Sequence, residues 1–169
     1  MSAILELGAT IRTRRCDMGL TQTALARLSG LSRATVNQTE NGSLKDLSLT
    51  RAAKLLGTLG LSIQIDAARP RPVRQHRNKS PALALAARSA SVSYRVPMPA
   101  DVLCDVLTGA GASRDFLPHL HTLLDEAPVA LLAAVVEQLH VDQGIERALV
   151  WQRMRMLAGQ LKTSRALWQ

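Results

Sequence analysis

Apolar positions in the first sixty residues recur at helical spacing and are interrupted by glycine or by short polar residues. Ile4, Leu7 and Ile11, continued by Cys16 or Met18, mark one face of a first helix that stops at Gly19. Thr21 supplies an N-cap oxygen for a second helix whose Ala24, Leu25 and Leu28 form the apolar side before Gly30. Ser32 caps a third, closed by Asn41-Gly42, and Asp46 can cap a fourth with Leu49, Ala52, Ala53, Leu56 and Leu59 on one side. The third helix is unlike the rest. It keeps only Leu31, Ala34 and Val36 for packing and turns Arg33, Thr35, Asn37 and Gln38 outward, a surface equipped to touch something polar.

Beyond Gly60 the period changes. Residues 61–65, LSIQI, alternate apolar and polar as a half-buried strand does. A lone strand cannot satisfy its own ladder, and no partner strand is evident nearby, so a second copy of the chain is the simplest source of one. Ser62, Ile63, Gln64 and Ile65 are thus the candidate dimer strand. From Ala67 onward three prolines (Pro70, Pro72, Pro81) deny helix continuity, and the pattern reads as a linker with at most a helical turn at ALALAARSA. Apolar spacing then resumes. It predicts helices at roughly 99–110, 114–126, 128–140 and 143–161, punctuated by Gly109, Gly111, Pro128 and Gly144, with faces such as Leu131, Leu132, Val135, Val136 and Leu139. The expected fold is all-α in three parts: a small helical domain over 1–66, a basic Pro/Arg-rich linker over 67–94, and a helical bundle for interaction or dimerisation over 95–169.

Charge separates the two halves. The 169-residue chain has a formal net charge of +8. Residues 1–80 hold thirteen Lys and Arg against five Asp and Glu, whereas residues 81–169 hold eight of each, so all of the excess lies in the first half. That asymmetry points to an anionic partner for the first half, with DNA, RNA and acidic membrane surface as candidates. Aromatic residues are only 2% of the chain, too few for stacking along a single strand, whereas recognition of a duplex does not need rings. Arg69, Arg71, Arg74, Arg77 and Lys79 form a run without an acid, either a solvated linker or an arm that adds phosphate contacts.

Other chemistry finds little support. Cys16 and Cys104 are too few and too far apart for a disulfide framework or a metal knuckle. His119 and His121, two apart on a helix, face different sides, so no metal site is expected, and no nucleophile or acid–base constellation marks an enzyme. No cofactor is implied. The chain shows neither a basic segment leading into an apolar run nor about 18 consecutive apolar residues, so a cytoplasmic location and no membrane partner are expected.

Residues 20–42, LTQTALARLSGLSRATVNQTENG, have the order cap, apolar face, Gly, cap, polar helix. Two helices joined this tightly cross at a large angle, which lets the second lie in the major groove while the first braces it across the backbone. With IRTRR, GLTQ, LARLSGLS, ENG and the Leu-rich fourth helix in order, residues 5–65 resemble the Xre-type repressor family, with its lambda-repressor-like helix-turn-helix. The ending LGLSIQI is similar to HipB-like antitoxins, in which the strand pairs across a dimer.

From the residues themselves, Arg33 can donate two parallel bonds to guanine, Asn37 and Gln38 can reach bases, and Ala34 and Thr35 are small enough for close approach. Thr21 and Gln22 stand at an amide-exposing helix start suited to a phosphate, and Ser32 stands at another. The resemblance adds Asn41, Ser43 and Lys45 as backbone grips and implies that Arg15 and Glu40 form an internal ion pair. It also implies a homodimer on a palindromic operator. A HipB-like role would add a toxin enzyme, a HipA-like kinase or a nucleotidyltransferase, as partner. The alternative is a stand-alone repressor whose second half senses a ligand or mediates oligomerisation.

Overall fold

The computed structural model describes residues 3–44, 46–64, 81–111 and 113–169, and these are all-α. The first four helices run Ala3–Asp17 (α1), Gln22–Ser29 (α2), Arg33–Glu40 (α3) and Leu49–Thr58 (α4). Local chemistry sets their ends. Thr21 Oγ1 accepts from the Ala24 amide at 3.0 Å, and Ser32 Oγ accepts from the Thr35 amide at 3.0 Å. Gly30 closes α2 in the left-handed region at φ 68°, which frees the Leu31 amide to bond the Ala26 carbonyl.

Helix α4 departs from expectation in two respects. Its cap is Ser48, whose Oγ accepts from the Arg51 amide at 3.4 Å, so the helix begins one residue after it and Asp46 lies outside. Its buried face is Ala52, Leu55, Leu56 and Leu59, while Leu49 and Ala53 are exposed. Ala53 falls on the opposite side from that stripe, and Leu49 sits at the very start of the helix.

Residues 61–64 form neither helix nor strand, and no strand occurs among the described residues; Ser62, Ile63 and Gln64 are exposed. Among the described residues of one copy, no strand stands beside them to complete a ladder. Ile65 and the basic run Arg69, Arg71, Arg74, Arg77 and Lys79 lie outside the described residues.

The linker expected over 67–94 contains a core helix. Helix α5, Ala82–Ala90, buries Leu83, Ala86, Ala87 and Ala90, an i, i+3, i+4, i+7 stripe that packs on three helices of the second half. Pro81 precedes its first turn, where a missing N–H costs nothing, and the Leu83 amide finds Gln138 Oε1 at 2.9 Å. Helices α6 (Ala100–Thr108), α7 (Leu117–Glu126), α8 (Val129–Gln143) and α9 (Arg147–Gln160) complete the bundle, with single 3-10 turns at Arg114–Phe116 and Ala166–Trp168. Trp151 is fully buried, and Trp168 Nε1 donates to the Leu124 carbonyl at 2.9 Å. His119 is buried between Tyr94 and Phe116 with Nε2 2.9 Å from the Val96 carbonyl oxygen, whereas His121 is exposed. No single helix among the described residues is long and apolar enough to cross a membrane.

The two halves share one core. Helix α9 packs on α1 and α8 packs on α4. Arg155 reaches back from α9 to donate to the carbonyls of Met18 at 2.6 Å and Gly19 at 3.1 Å, closing the C-terminal end of α1. Gly60 fits against α8 because it lacks a Cβ: one placed there would lie 3.0 Å from both the Val129 carbonyl oxygen and Ala133 Cβ.

A second glycine controls the seat of α3. A Cβ on Gly8, in the middle of α1, would collide with the Thr39 carbonyl oxygen and lie 3.2 Å from that of Glu40. Gly8→Ala is therefore expected to destabilise by about 1–3 kcal/mol through overpacking, despite alanine's better helix propensity. Gly57→Ala is the control: Gly57 is exposed on α4 with nothing near its Cβ direction, and the change is expected to stabilise by up to about 1 kcal/mol. Urea denaturation of the two variants reads both signs.

Candidate nucleic-acid interface

Helix α3 is eight residues long and buries only Val36, Thr39 and Glu40. Such a helix has little stability of its own; its position comes from α1 and α2, on which it packs. Arg33, Ala34, Asn37 and Gln38 are exposed along its outer side, with Thr35 half-buried. The bundle joins the first half through α1 and α4, so it does not cover that side. Arg33 and the Gln38 side chain make no hydrogen bond or ion pair among the described residues. Their donors and the Gln38 acceptor are available to a ligand.

An ion pair fixes α3 from behind. Arg15 Nε and Nη2 donate to the two carboxylate oxygens of Glu40 at 2.6 and 2.9 Å, a planar two-bond match, while Nη1 donates to the Leu20 carbonyl at 2.8 Å. The Glu40 side chain is 1% exposed and that of Arg15 12%. Burial by itself pushes the Glu40 carboxyl upward. Hydrogen bonds from Arg15 and Gln22, with the charges of Arg15 and Arg12, outweigh it and hold the group below its ordinary value. The hydrogen bond to Glu40 likewise raises Arg15. Both are therefore ionised scaffold groups that tie the end of α3 to α1.

The pair continues outward through amides. Gln22 Nε2 donates to Glu40 Oε2 at 3.0 Å and to Asn37 Oδ1 at 3.3 Å, and Asn41 Nδ2 donates to the same Asn37 oxygen at 2.9 Å. This use of Gln22 escapes sequence reasoning. Its two side-chain protons are both engaged within the protein, and its oxygen is an acceptor that cannot bond a phosphate. What Gln22 offers a phosphate is its backbone N–H in the first turn of α2. Asn37, its oxygen twice engaged, presents its Nδ2 protons as donors. No local pattern announces these bonds, which join residues 15 and 18 apart in the chain.

The remaining candidates ring the same helix. Thr21 is exposed and keeps its hydroxyl proton while accepting from Ala24. Ser32 Oγ and Thr35 Oγ1 lie 2.9 Å apart at the N-terminus of α3. Ser43 follows its C-terminal end, exposed, with its amide on the Gln38 carbonyl at 3.0 Å. Lys45 lies outside the described residues. The described structure thus gathers Thr21, Ser32, Arg33, Ala34, Asn37, Gln38, Asn41 and Ser43 around α3, and places Arg15, Gln22 and Glu40 beneath them as support. No group of three or more His, Cys, Asp or Glu that could hold a metal occurs among the described residues.

Comparison with known proteins agrees with this geometry for the first half. Residues 11–65 match a family model described as Helix-turn-helix. No curated protein and no solved structure matches the chain.

Proposed function

We propose that this chain, whose residues 11–65 match a helix-turn-helix family model, is a DNA-binding transcription regulator that acts in the cytosol as a dimeric autorepressor on a palindromic operator. The observation that carries the reading is the open face of α3: a guanidinium and two amides with free donors, on a short helix held by a buried ion pair and left uncovered by the second half. Arg33 reads guanine, Asn37 and Gln38 read neighbouring base edges, and Ala34 and Thr35 allow the approach. Thr21, Ser32, Asn41, Ser43, Lys45 and the Gln22 amide hold the phosphates on either side. Pairing of residues 62–65 between two copies supplies a strand partner not found among the described residues of one copy, and sets two recognition helices one turn of DNA apart.

The reading includes an antitoxin role, motivated by the HipB-like ending of the first domain: the second half binds a toxin enzyme, a HipA-like kinase or a nucleotidyltransferase, and DNA binding serves autoregulation. The shared core favours keeping a second reading beside it. Because α8 and α9 pack directly on α4 and α1, a stand-alone repressor could use the bundle to sense a ligand or to oligomerise.

A footprint over the chain's own upstream region tests the dimer. Two protected half-sites centred about 10 bp apart are expected; protection of a single asymmetric site by one copy would overturn it. The antitoxin role requires a neighbouring gene whose product arrests growth alone and is neutralised by co-expression of the full chain. A neighbour that is harmless, or whose toxicity the chain does not relieve, removes that part.

A further inference from the structure

Between the end of α6, the start of α7 and α9 lies a cavity of about 590 Å³ that the DNA-binding reading does not use. Val106, Leu117, Leu157 and Leu161, with the exposed, adaptable Met156, give it an apolar side, and polar groups form nearly as much of the remaining wall. The size falls within the range of roughly 300–1,000 Å³ usual for small-molecule sites. Into these walls the chain places one full charge, Arg153, and Gln160 also lines the cavity.

Arg153 is only partly occupied by the protein. Nη1 donates to the Leu107 carbonyl at 3.1 Å, in the last turn of α6. The guanidinium lies along the loop after that turn, so close that a Cβ on Gly109 would sit 3.1 Å from Nη2. None of the residues lining the cavity is acidic, and no carboxylate among the described residues is within ion-pair distance of Arg153. By contrast Arg147, on the same helix, has a two-bond match to Glu137 at 2.8 Å. A guanidinium has five donors, and with one bonded to a carbonyl and no anion provided, the cavity lacks the negative half of an ion pair.

We propose that this cavity binds a small organic monocarboxylate, its carboxylate on Arg153 and its apolar body against Leu117, Leu157 and Leu161. One cation in the lining matches one negative charge; a phosphate dianion would leave charge unbalanced among leucines. An inorganic anion would leave the apolar side formed by Leu117, Leu157 and Leu161 uncovered, which disfavours it as the occupant.

Titration calorimetry and thermal shift on the full chain, with decanoate as probe, test the site. The expected result is saturable one-to-one binding that raises Tm, with acetate, which lacks the body, and 1-decanol, which lacks the charge, each weaker by roughly tenfold or more. Arg153→Gln and Met156→Trp, the second filling the mouth from an exposed position, are each expected to weaken decanoate by a similar factor. If loss of the Leu107 contact keeps Arg153→Gln from folding, Met156→Trp and the comparison with 1-decanol decide. No decanoate binding by the wild-type chain, binding undiminished by Met156→Trp, or equal binding of 1-decanol would overturn the site. No DNA enters the measurement, so its failure leaves the reading of α3 untouched.

Discussion

Arg15→Ala is expected to destabilise the chain by about 3–5 kcal/mol, a large share of the roughly 5–15 kcal/mol that holds a domain folded. The substitution leaves Glu40 as a carboxylate that is 1% exposed, with the Gln22 amide as its remaining side-chain partner. Glu40→Gln is expected to cost less, because Arg15 keeps the Leu20 carbonyl and a side chain 12% open to water. The two halves of one ion pair thus differ in cost because they differ in burial. Urea denaturation at pH 7 checks the order, and equal losses would contradict it.

The same pair sets a pH dependence. In the folded chain the Glu40 carboxyl titrates below its ordinary value of 4.5, so the stability it contributes is complete above that value and is lost as pH falls through the lowered one. Wild type is therefore expected to lose stability more steeply below about pH 4.5 than Glu40→Gln. In Arg15→Ala the Arg15 hydrogen bonds and charge are gone, so the folded Glu40 carboxyl moves up from its wild-type position and the acid-side loss of stability is expected to shrink.

Replacing Arg33 and Gln38 together by alanine is expected to cut binding to the operator and leave the fold intact. Both side chains are exposed and make no bond within the described protein, so stability should change by less than about 0.5 kcal/mol. A two-bond contact from Arg33 to guanine gives about 1–3 kcal/mol of discrimination, which is roughly fivefold to 150-fold in the ratio of operator to scrambled DNA. Base contact and phosphate contact leave different traces. A side chain that reads bases lowers that ratio, whereas one that grips phosphate weakens both DNAs alike and flattens the salt dependence by about one ion. Titrations of both DNAs at several salt concentrations separate the two.

What was legible in the sequence is what local chemistry decides. Thr21, Ser32 and Gly30 end helices through bonds to residues three to five away, so their spacing alone places α2 and α3. Competing local signals were harder: Asp46 and Ser48 are both good caps, and only the packing of α4 selects the serine. Helix α5 was obscured by its prolines and arginines, although Leu83, Ala86, Ala87 and Ala90 already carry its stripe. Composition outweighed periodicity there, and tertiary contact with α8 reverses the order. Residues 61–64 have a strand's alternation, but a strand is a property of two segments, and the described residues of one copy hold no second one.

In the candidate site, the outward face of α3 follows from its own pattern, and the pairing of Arg15 with Glu40 was implied by family resemblance. The bonds from Gln22 to Glu40 and Asn37 have no signature in one dimension. Nor does the hold of Arg155 on α1, which spans 136 and 137 residues. Long-range polar contacts of this kind depend on where helices come to rest, and that is settled by the core as a whole.

That α3 lies in the major groove with Arg33 on a guanine is tested most directly by dimethyl sulfate, which methylates guanine N7 in that groove. Wild type is expected to protect one guanine in each half-site, and Arg33→Ala to expose that guanine while the flanking protection persists. A protection pattern identical in the two proteins, or no guanine protected by either, would contradict it.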